Sequence, residues 1–279
     1  MVKTRRILLS LLSAGILTMH AGAQVSSHQR LGVESKDIAD VNVGVDLSLS
    51  PAFNGGYQGL ELDPTATLDI VVQRSFSLSL SLPVSGWLDL DGRGPAVAAL
   101  GDPGVALGYS LRAGDWRLGV SGSYQHPLGI WNYYEVEERH IASSSGFRIL
   151  GLDLSATRYL DPLIAGVRLS ARSDLERRGQ FATSSRPLRI ILGLSATEAL
   201  NEIVALSVSL SNEADSPWLV NGQPQFGGWG YSLSGSAGLV FSSDIFSFRI
   251  GISKTLSESG SLPRFEASAS YTFKIKGRS

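Results

Sequence analysis

The residues best suited to chemistry gather in one polar stretch. Glu135, Glu137, Glu138, Arg139 and His140 lie within 127–145. A Glu and a His four or five residues apart can ligate a metal, or serve as base and orienting group in hydrolysis. No helical periodicity surrounds them to fix their directions, so the stretch reads as an acidic surface loop. A hydrolase built on His126 would want a serine two residues on, and that residue is Leu128. Asp89, Asp91 and Asp102 offer carboxylates for an Asp-His couple, but turns use Asp for their own hydrogen bonds. The chain has no cysteine, which removes thiol chemistry, disulfides and Cys-based metal sites. It has no phosphate loop and no serine-nucleophile motif. The expectation is a protein that is not an enzyme and needs no cofactor or metal. A net charge of −1 with no Lys/Arg block in the body of the chain argues against nucleic acid as a partner.

The elements that would position any such residue are strands. Val41, Val43, Val45, Leu47 and Leu49 alternate with polar or small residues, as do Phe76, Leu78, Leu80 and Leu82, Val204 to Leu210, and Phe265 to Ile275. This period of two predicts strands near 41–53, 65–73, 76–86, 104–112, 116–126, 146–158, 162–172, 187–197, 203–211, 229–241, 245–255 and 264–275. Lys3, Arg5 and Arg6, the apolar stretch Ile7–Met19 and the small residues Ala21-Gly22-Ala23 read as a secretory signal peptide over 1–23. Residues 24–40 are polar and read as an N-terminal tail or a small plug. The barrel would occupy 41–279.

Alternation also suits a soluble sandwich, and four features choose against it. Connections after even-numbered strands are short, such as Arg74-Ser75 and Ser242-Ser243-Asp244, while those after odd-numbered strands run to about 8–19 residues, the asymmetry of a transmembrane barrel. The polar face is Ser and Gly with sparse charge, where a water-facing sheet would carry more Lys and Glu. The apolar face stays nearly free of charge for about nine residues per strand, enough for a ~25 Å lipid band at barrel tilt. Aromatics sit at strand ends: Phe53, Tyr57, Trp87, Tyr124, Trp131, Tyr133, Tyr134, Phe147, Trp218, Trp229, Tyr231 and Phe265 toward the long loops, Phe76, Trp116, Tyr159, Phe241, Phe246 and Phe273 toward the short turns. The fold class is therefore all-β, a transmembrane antiparallel up-and-down barrel of about 12 strands.

Strand parity then selects the charges that face the lumen: Asp46, Asp69, Asp153, Arg112, Arg117, Arg168, Arg189, Arg249 and Glu266. Asp46, Asp69 and Glu266 come from strands that become neighbours on closure. Arg112, Arg117, Arg168 and Arg189 come from the far side. An acidic wall facing a basic wall sets a transverse field that favours dipolar or zwitterionic solutes. The alternative is that these charges pair across the lumen and fill it. Loop 127–145 combines Trp131, Tyr133 and Tyr134 with Glu135, Glu137 and Glu138. It either folds inward over Arg168 and Arg189 as a constriction or lies outward in lipopolysaccharide.

The even strand count, the signal peptide and the ending Tyr271-Thr272-Phe273 resemble Gram-negative outer-membrane barrels. That resemblance implies the outer membrane as location, its lipid and lipopolysaccharide as surroundings, and the barrel-assembly machinery as a partner. Six residues follow Phe273, a departure from the usual terminal aromatic. Gly101-Asp102-Pro103-Gly104, the following strand, and His126-Pro127-Leu128-Gly129 resemble the Gly-Asp…Pro-Thr-Gly pattern of transporters grouped with the phenol-degradation MetA-pathway barrels. Leu128 replaces the usual Thr. This second resemblance implies a channel for a small hydrophobic or aromatic solute. A structural or adhesive barrel with partner-binding loops is the alternative function, and a barrel hydrolase the least favoured.

An even strand count puts both termini on the periplasmic side. A tag inserted near Asn132 is expected to be reached by antibody on intact cells, and one after Ser279 is not. The reverse labelling would contradict the count.

Overall fold

The computed structural model describes residues 37–276 except 55–56, 73–74, 90–96, 129–132, 137–138, 143–146, 179–182, 226–227, 244 and 259–260. The signal-peptide reading and most of the tail lie outside the described residues. Twelve strands form the barrel: β1 (Asp37–Asn54), β2 (Tyr57–Val72), β3 (Phe76–Asp89), β5 (Gly104–Ala113), β6 (Trp116–Gln125), β9 (Ile149–Leu160), β10 (Leu163–Arg178), β11 (Thr183–Ala199), β12 (Val204–Asp215), β15 (Gly230–Ser242), β16 (Phe246–Thr255) and β17 (Arg264–Lys276). Each pairs antiparallel with the next, and β17 returns to β1. Five short strands stand outside this circuit. β4 (Val97–Leu100) extends the edge of β3, β7 (Tyr133–Val136) and β8 (Arg139–Ala142) form a separate hairpin, and β13 (Trp218–Val220) and β14 (Gln223–Gln225) form another against β11. The twelve strands expected from alternation are all present.

The register fixes the shape. A row crossing the strands at right angles runs Ala39, Val72, Phe76, Tyr109, Val120, Leu154, Leu169, Leu192, Asn212 and Leu233. A backbone hydrogen bond carries it on to Leu256. Continuing the constant offsets through β17 returns it to β1 near Phe53, a shear of about 14, which for twelve strands means a tilt of ~40° and a backbone radius of ~11 Å. Because the strands tilt, each step along such a row climbs about 3 Å toward the outer end.

The two faces are inverted relative to a soluble protein. Leu107 is 65% exposed, and Leu118, Val120, Leu152, Leu154, Leu192 and Leu194 are exposed with it. Among the described residues the buried apolar side chains are Phe147, Ile149, Ile191 and Val240, whereas Asn42, Thr65, Asp153, Arg189, Glu213 and Thr272 are among many buried polar ones. A sandwich would bury the first set and expose the second. Here the strands pair around a closed circuit, the condition for placing that apolar band in lipid. Outward aromatics frame the band. Trp116 and Tyr124 stand eight residues apart on β6, and Phe265 and Phe273 eight apart on β17, so the two strands agree on a band of about 20 Å along the axis. Arg158 lies over the Trp116 ring, 5.5 Å from its centroid, at the short-turn border. That placement suits a cation at a membrane interface.

The inner face is concave, so its side chains converge and small residues are required. A Cβ on Gly44 would stand 2.8 Å from Thr67 Oγ1, and one on Gly108 would stand 2.5 Å from Ser77 Oγ. Closure is reinforced from inside by Thr272, whose hydroxyl donates to Asn42 Oδ1 at 2.6 Å across the β1–β17 seam. The turn after β5 places Gly114 at φ 58°, and the β13–β14 turn places Asn221 and Gly222 at φ 52° and 76°, the Asn-Gly geometry of a tight hairpin.

Several expected boundaries change. β1 begins at Asp37, so the last residues assigned to the polar tail are strand. The first long connection shrinks to 55–56 and the fourth to 179–182, because β1, β2, β10 and β11 continue beyond the lipid band. Above that level both faces meet water, and alternation no longer marks the strand. Pro64 and Pro83 lack N–H donors, and the β2–β3 pairing is interrupted between Leu62↔Gly86 and Thr65↔Pro83. Phe147 and Trp218 are not part of the outer aromatic belt. Their rings pack on each other, 5.2 Å between centroids, with Phe147 buried.

Substituting Leu107 by Arg is expected to cost about 2–4 kcal/mol, because the side chain sits on the lipid face near mid-height. Ser79→Arg, on the lumen face, should cost much less. Urea titration of the protein folded into lipid vesicles reads the difference, and equal costs would contradict the assignment of faces.

Candidate functional site

The lumen between the two aromatic rings is the candidate site. β3, β5 and β6 line it with Ser77, Ser79, Ser81, Ala106, Gly108, Gly119, Ser121 and Ser123, so this flank projects little into the interior. β15 and β16 continue in the same manner with Ser234, Ser236, Gly238, Gly251 and Ser253. Charge is concentrated on two arcs. One is β9–β12. The other is β17, β1 and β2, which lies six strands away and therefore opposite in a circuit of twelve.

Neighbouring strands of the first arc place arginines and carboxylates side by side. At mid-height Arg168 donates to Asp153 Oδ1 from Nε at 3.0 Å and from Nη2 at 2.6 Å, and the Ser170 hydroxyl donates to the same oxygen. Nearer the outer end, Arg172 and Arg189 are directly opposite each other on β10 and β11, a repulsive placement by itself. Carboxylates gathered around them offset it. Arg189 Nε lies 2.9 Å from Asp215 and 3.2 Å from Glu213, and Arg189 Nη2 lies 3.8 Å from Asp174. Arg186 Nη1 is 3.2 Å from Asp215 and its Nε 4.0 Å from Asp174. The Arg186 guanidinium also stacks over Trp218, 4.4 Å from the ring centroid, and Trp218 packs on Phe147. The four arginines 168, 172, 186 and 189 therefore meet four carboxylates, 153, 174, 213 and 215. This arc is charge-balanced, not basic.

The opposite arc keeps its acidic character. Asp46, Asp69 and Glu266 occupy inward positions on β1, β2 and β17, as strand parity indicated. Asp46 and Arg249 flank Ser268 in one row, and Arg249 Nη2 turns to Ser236 Oγ at 3.4 Å. Ser48 and Glu266 are register partners, and Ser48 Oγ and Glu266 Oε1 are buried without a hydrogen-bond partner among the described residues.

The other expected lumen charges are less central. Arg117 Nη2 donates to Ser110 Oγ at 2.9 Å near the short-turn end. Arg112 is exposed at that end, with its Nε on Gly114 O at 3.4 Å. In the loop 127–145, Tyr133, Tyr134 and Glu135 lie on β7, and β8 runs close to β3. Trp131, Glu137 and Glu138 lie outside the described residues. Sequence reasoning missed Arg172, Asp174, Arg186, Glu213 and Asp215. Arg172 stands at the inward parity within the expected strand 162–172, and Asp174, Glu213 and Asp215 continue that parity just past expected strand ends, whereas Arg186, at the opposite parity, follows a register shift that the pattern does not show.

Of the residues considered for catalysis, Asp102 and His126 have structural occupations, and Asp91 lies outside the described residues. Asp102 is buried, and its Oδ1 accepts the Leu128 N–H at 3.1 Å. His126 N donates to Pro103 O at 2.9 Å. The Gly-Asp-Pro-Gly turn thus clamps His126 and Leu128 beside it at the outer end of the β5–β6 pair. His126 Nδ1 lies 3.0 Å from the Tyr124 hydroxyl. Among the described residues no group of three or more His, Asp or Glu could hold a metal ion.

No family model and no curated protein sequence matches the chain. Solved structures do. An outer-membrane channel from Pseudomonas putida F1 superposes with a TM-score of 0.64 at 11% identity, over 88% of this chain and 98% of that one. The translocator domain of the autotransporter NalP from Neisseria meningitidis gives 0.49 at 13% identity, over 95% and 98%. The KdgM porin in complex with disordered oligogalacturonate gives 0.49 at 9% identity, over 83% and 99%. At these identities the likeness is one of fold: a 12-stranded antiparallel barrel resembling outer-membrane barrels.

Arg189→Gln is expected to destabilise the barrel by about 3 kcal/mol, because it leaves Glu213 and Asp174 buried with one cation fewer. Arg112→Gln, at an exposed site, should stay within about 0.5 kcal/mol. Denaturant unfolding in detergent micelles distinguishes them, and equal effects would contradict the buried network.

Proposed function

We propose that the chain is an outer-membrane channel that admits a small solute passively. The observation that carries this reading is the inner face. Eight-stranded barrels have interiors that side chains just fill, whereas this one has twelve strands and lines most of its circumference with Ser, Gly, Ala and Thr. Such a surface lacks the volume to close a lumen of ~11 Å backbone radius, and its hydroxyls favour water along the path. On β9–β12 the long charged side chains are held against the wall by their own carboxylates. The solved Pseudomonas putida F1 channel supports the reading by its fold. On this reading the protein is not an enzyme: Asp102 and His126 serve the outer turn.

The finer reading is that the solute carries an aromatic or hydrophobic part. Phe147, Ile149 and Trp218 favour it, as an apolar patch at the outer end of the lumen beside Arg186. An adhesive barrel would use the β7–β8 and β13–β14 hairpins as its partner-binding surface. Conductance separates the two readings.

Purified protein added to a planar bilayer is expected to give discrete single-channel steps with a modest preference for cations, because the β9–β12 arc is neutral and the opposite arc acidic. Deleting residues 133–140 raises conductance severalfold if the hairpin reaches over the lumen, and leaves it unchanged if the hairpin lies outside. Folded, inserted protein that gives no steps would contradict the channel and favour the adhesive reading.

A further inference from the structure

Four arginines were candidates for the positive side of the lumen, and the structure separates them. Arg112 is exposed at the short-turn end, Arg117 is capped by Ser110 near the same end, and Arg189 is enclosed by three carboxylates. Arg168 differs. Its Nε and Nη2 both go to Asp153, Nη1 takes no partner among the described residues, and its side chain is 28% exposed while that of Asp153 is 8% exposed. The pair is therefore oriented. The carboxylate is tucked behind, and the guanidinium edge faces the lumen.

The strand opposite β10 is β1, and the strand opposite β9 is β17. With a climb of ~3 Å per strand along each row, Arg168 and Asp46 come within a few ångströms of the same level, and Glu266 lies slightly above them. Glu266 Oε1 and its register partner Ser48 Oγ are buried and have no hydrogen-bond partner among the described residues. Two cations stand nearby on that side: Arg249, which shares a row with Asp46 and donates to Ser236 Oγ, and Arg264, buried two residues from Glu266 on the same face of β17. The free span between the two poles is on the order of 10 Å.

We propose that Arg168, held by Asp153 and Ser170, and the facing carboxylates Asp46 and Glu266 form a selective eyelet at mid-lumen. It favours small zwitterions that present a carboxylate to Arg168 and an ammonium to Asp46 and Glu266. The inference rests on the channel reading above. A solute with both charges gains at both poles and needs no net field. A pure anion is repelled by the acidic pole and a pure cation by the guanidinium. Asp153 and Ser170 are positioning residues that fix the direction of the Arg168 edge.

The test is swelling of liposomes containing the full-length protein, with glycylglycine as zwitterion and N-acetylglycinamide as an uncharged solute of similar size. Wild-type protein should admit glycylglycine severalfold faster. Arg168→Gln with Asp153→Asn removes the positive pole without leaving a lone buried charge, and Asp46→Asn with Glu266→Gln removes the negative pole. Each should bring the ratio to about one. Arg168→Gln alone should move the reversal potential toward cations, and Asp46→Asn with Glu266→Gln should move it toward anions. Heat-modifiable gel mobility reports folding. Should the paired Arg168 variant not fold, Asp46→Asn alone tests the other pole and should lower the ratio. A wild-type ratio near one with normal conductance, or a ratio unmoved in folded variants, overturns the eyelet alone. Absence of conductance in folded wild-type protein overturns the channel reading and the eyelet with it.

Discussion

The structure depends on one constraint: a closed circuit of backbone hydrogen bonds that leaves each strand residue only two directions. Once β17 pairs with β1, no edge remains through which a side chain can turn aside, and parity alone assigns it to lipid or lumen. The register carries that assignment around all twelve strands. A single row from Val72 through Phe76, Tyr109, Val120, Leu154 and Leu169 to Leu192 runs wholly through exposed apolar or aromatic residues on the outward face. The same constraint makes the interior polar by default. Inward glycines and serines are the residues that a concave, crowded face accepts, and Gly44 against Thr67 and Gly108 against Ser77 show how little room there is at the wall itself.

Charge enters this interior under a second rule, that a buried ion needs a partner within reach. Adjacent strands supply it. Arg189 touches carboxylates from β10 and β12, and Arg186 is held by Asp215 and by the face of Trp218. A network that neutralises itself within one arc holds its long side chains to the wall and cannot cross to the other side. The expectation of a basic wall failed for this reason. It counted the arginines of the far side without the carboxylates that their neighbours bring. Asp46, Asp69 and Glu266 occupy inward positions on the opposite arc, which also carries the buried Arg264.

Legibility in the sequence followed the solvent. Where the outward face meets lipid, alternation is strong, and segments such as Val204–Leu210 and Phe265–Phe273 were read at the correct phase. Where strands rise above the lipid band, polar residues occupy both faces and the signal fades. Asp174, Arg186, Glu213 and Asp215 lie just past the ends of the strands that the pattern marks, where alternation alone gives loop. Turn chemistry was legible but its purpose was not. Gly101-Asp102-Pro103-Gly104 reads as a good turn, while the hydrogen bond from Leu128 N–H to Asp102 Oδ1 joins residues 26 apart and has no local signature. The stack of Phe147 on Trp218 was out of reach for the same reason, since both aromatics stand at strand ends and satisfy the pattern of an interface belt.

The central claim is that β6 separates lipid on one side from water on the other. Nitroxide labels placed one at a time along Trp116–Gln125, in protein reconstituted into lipid vesicles, report this through collision with oxygen or with a water-soluble nickel chelate. The account predicts strict alternation: labels at 118, 120 and 122 accessible to oxygen and shielded from nickel, and labels at 119, 121 and 123 accessible to nickel. Alternation in oxygen with nickel excluded from all positions would keep the barrel and close the lumen, contradicting the channel. Loss of alternation in both would contradict the barrel itself.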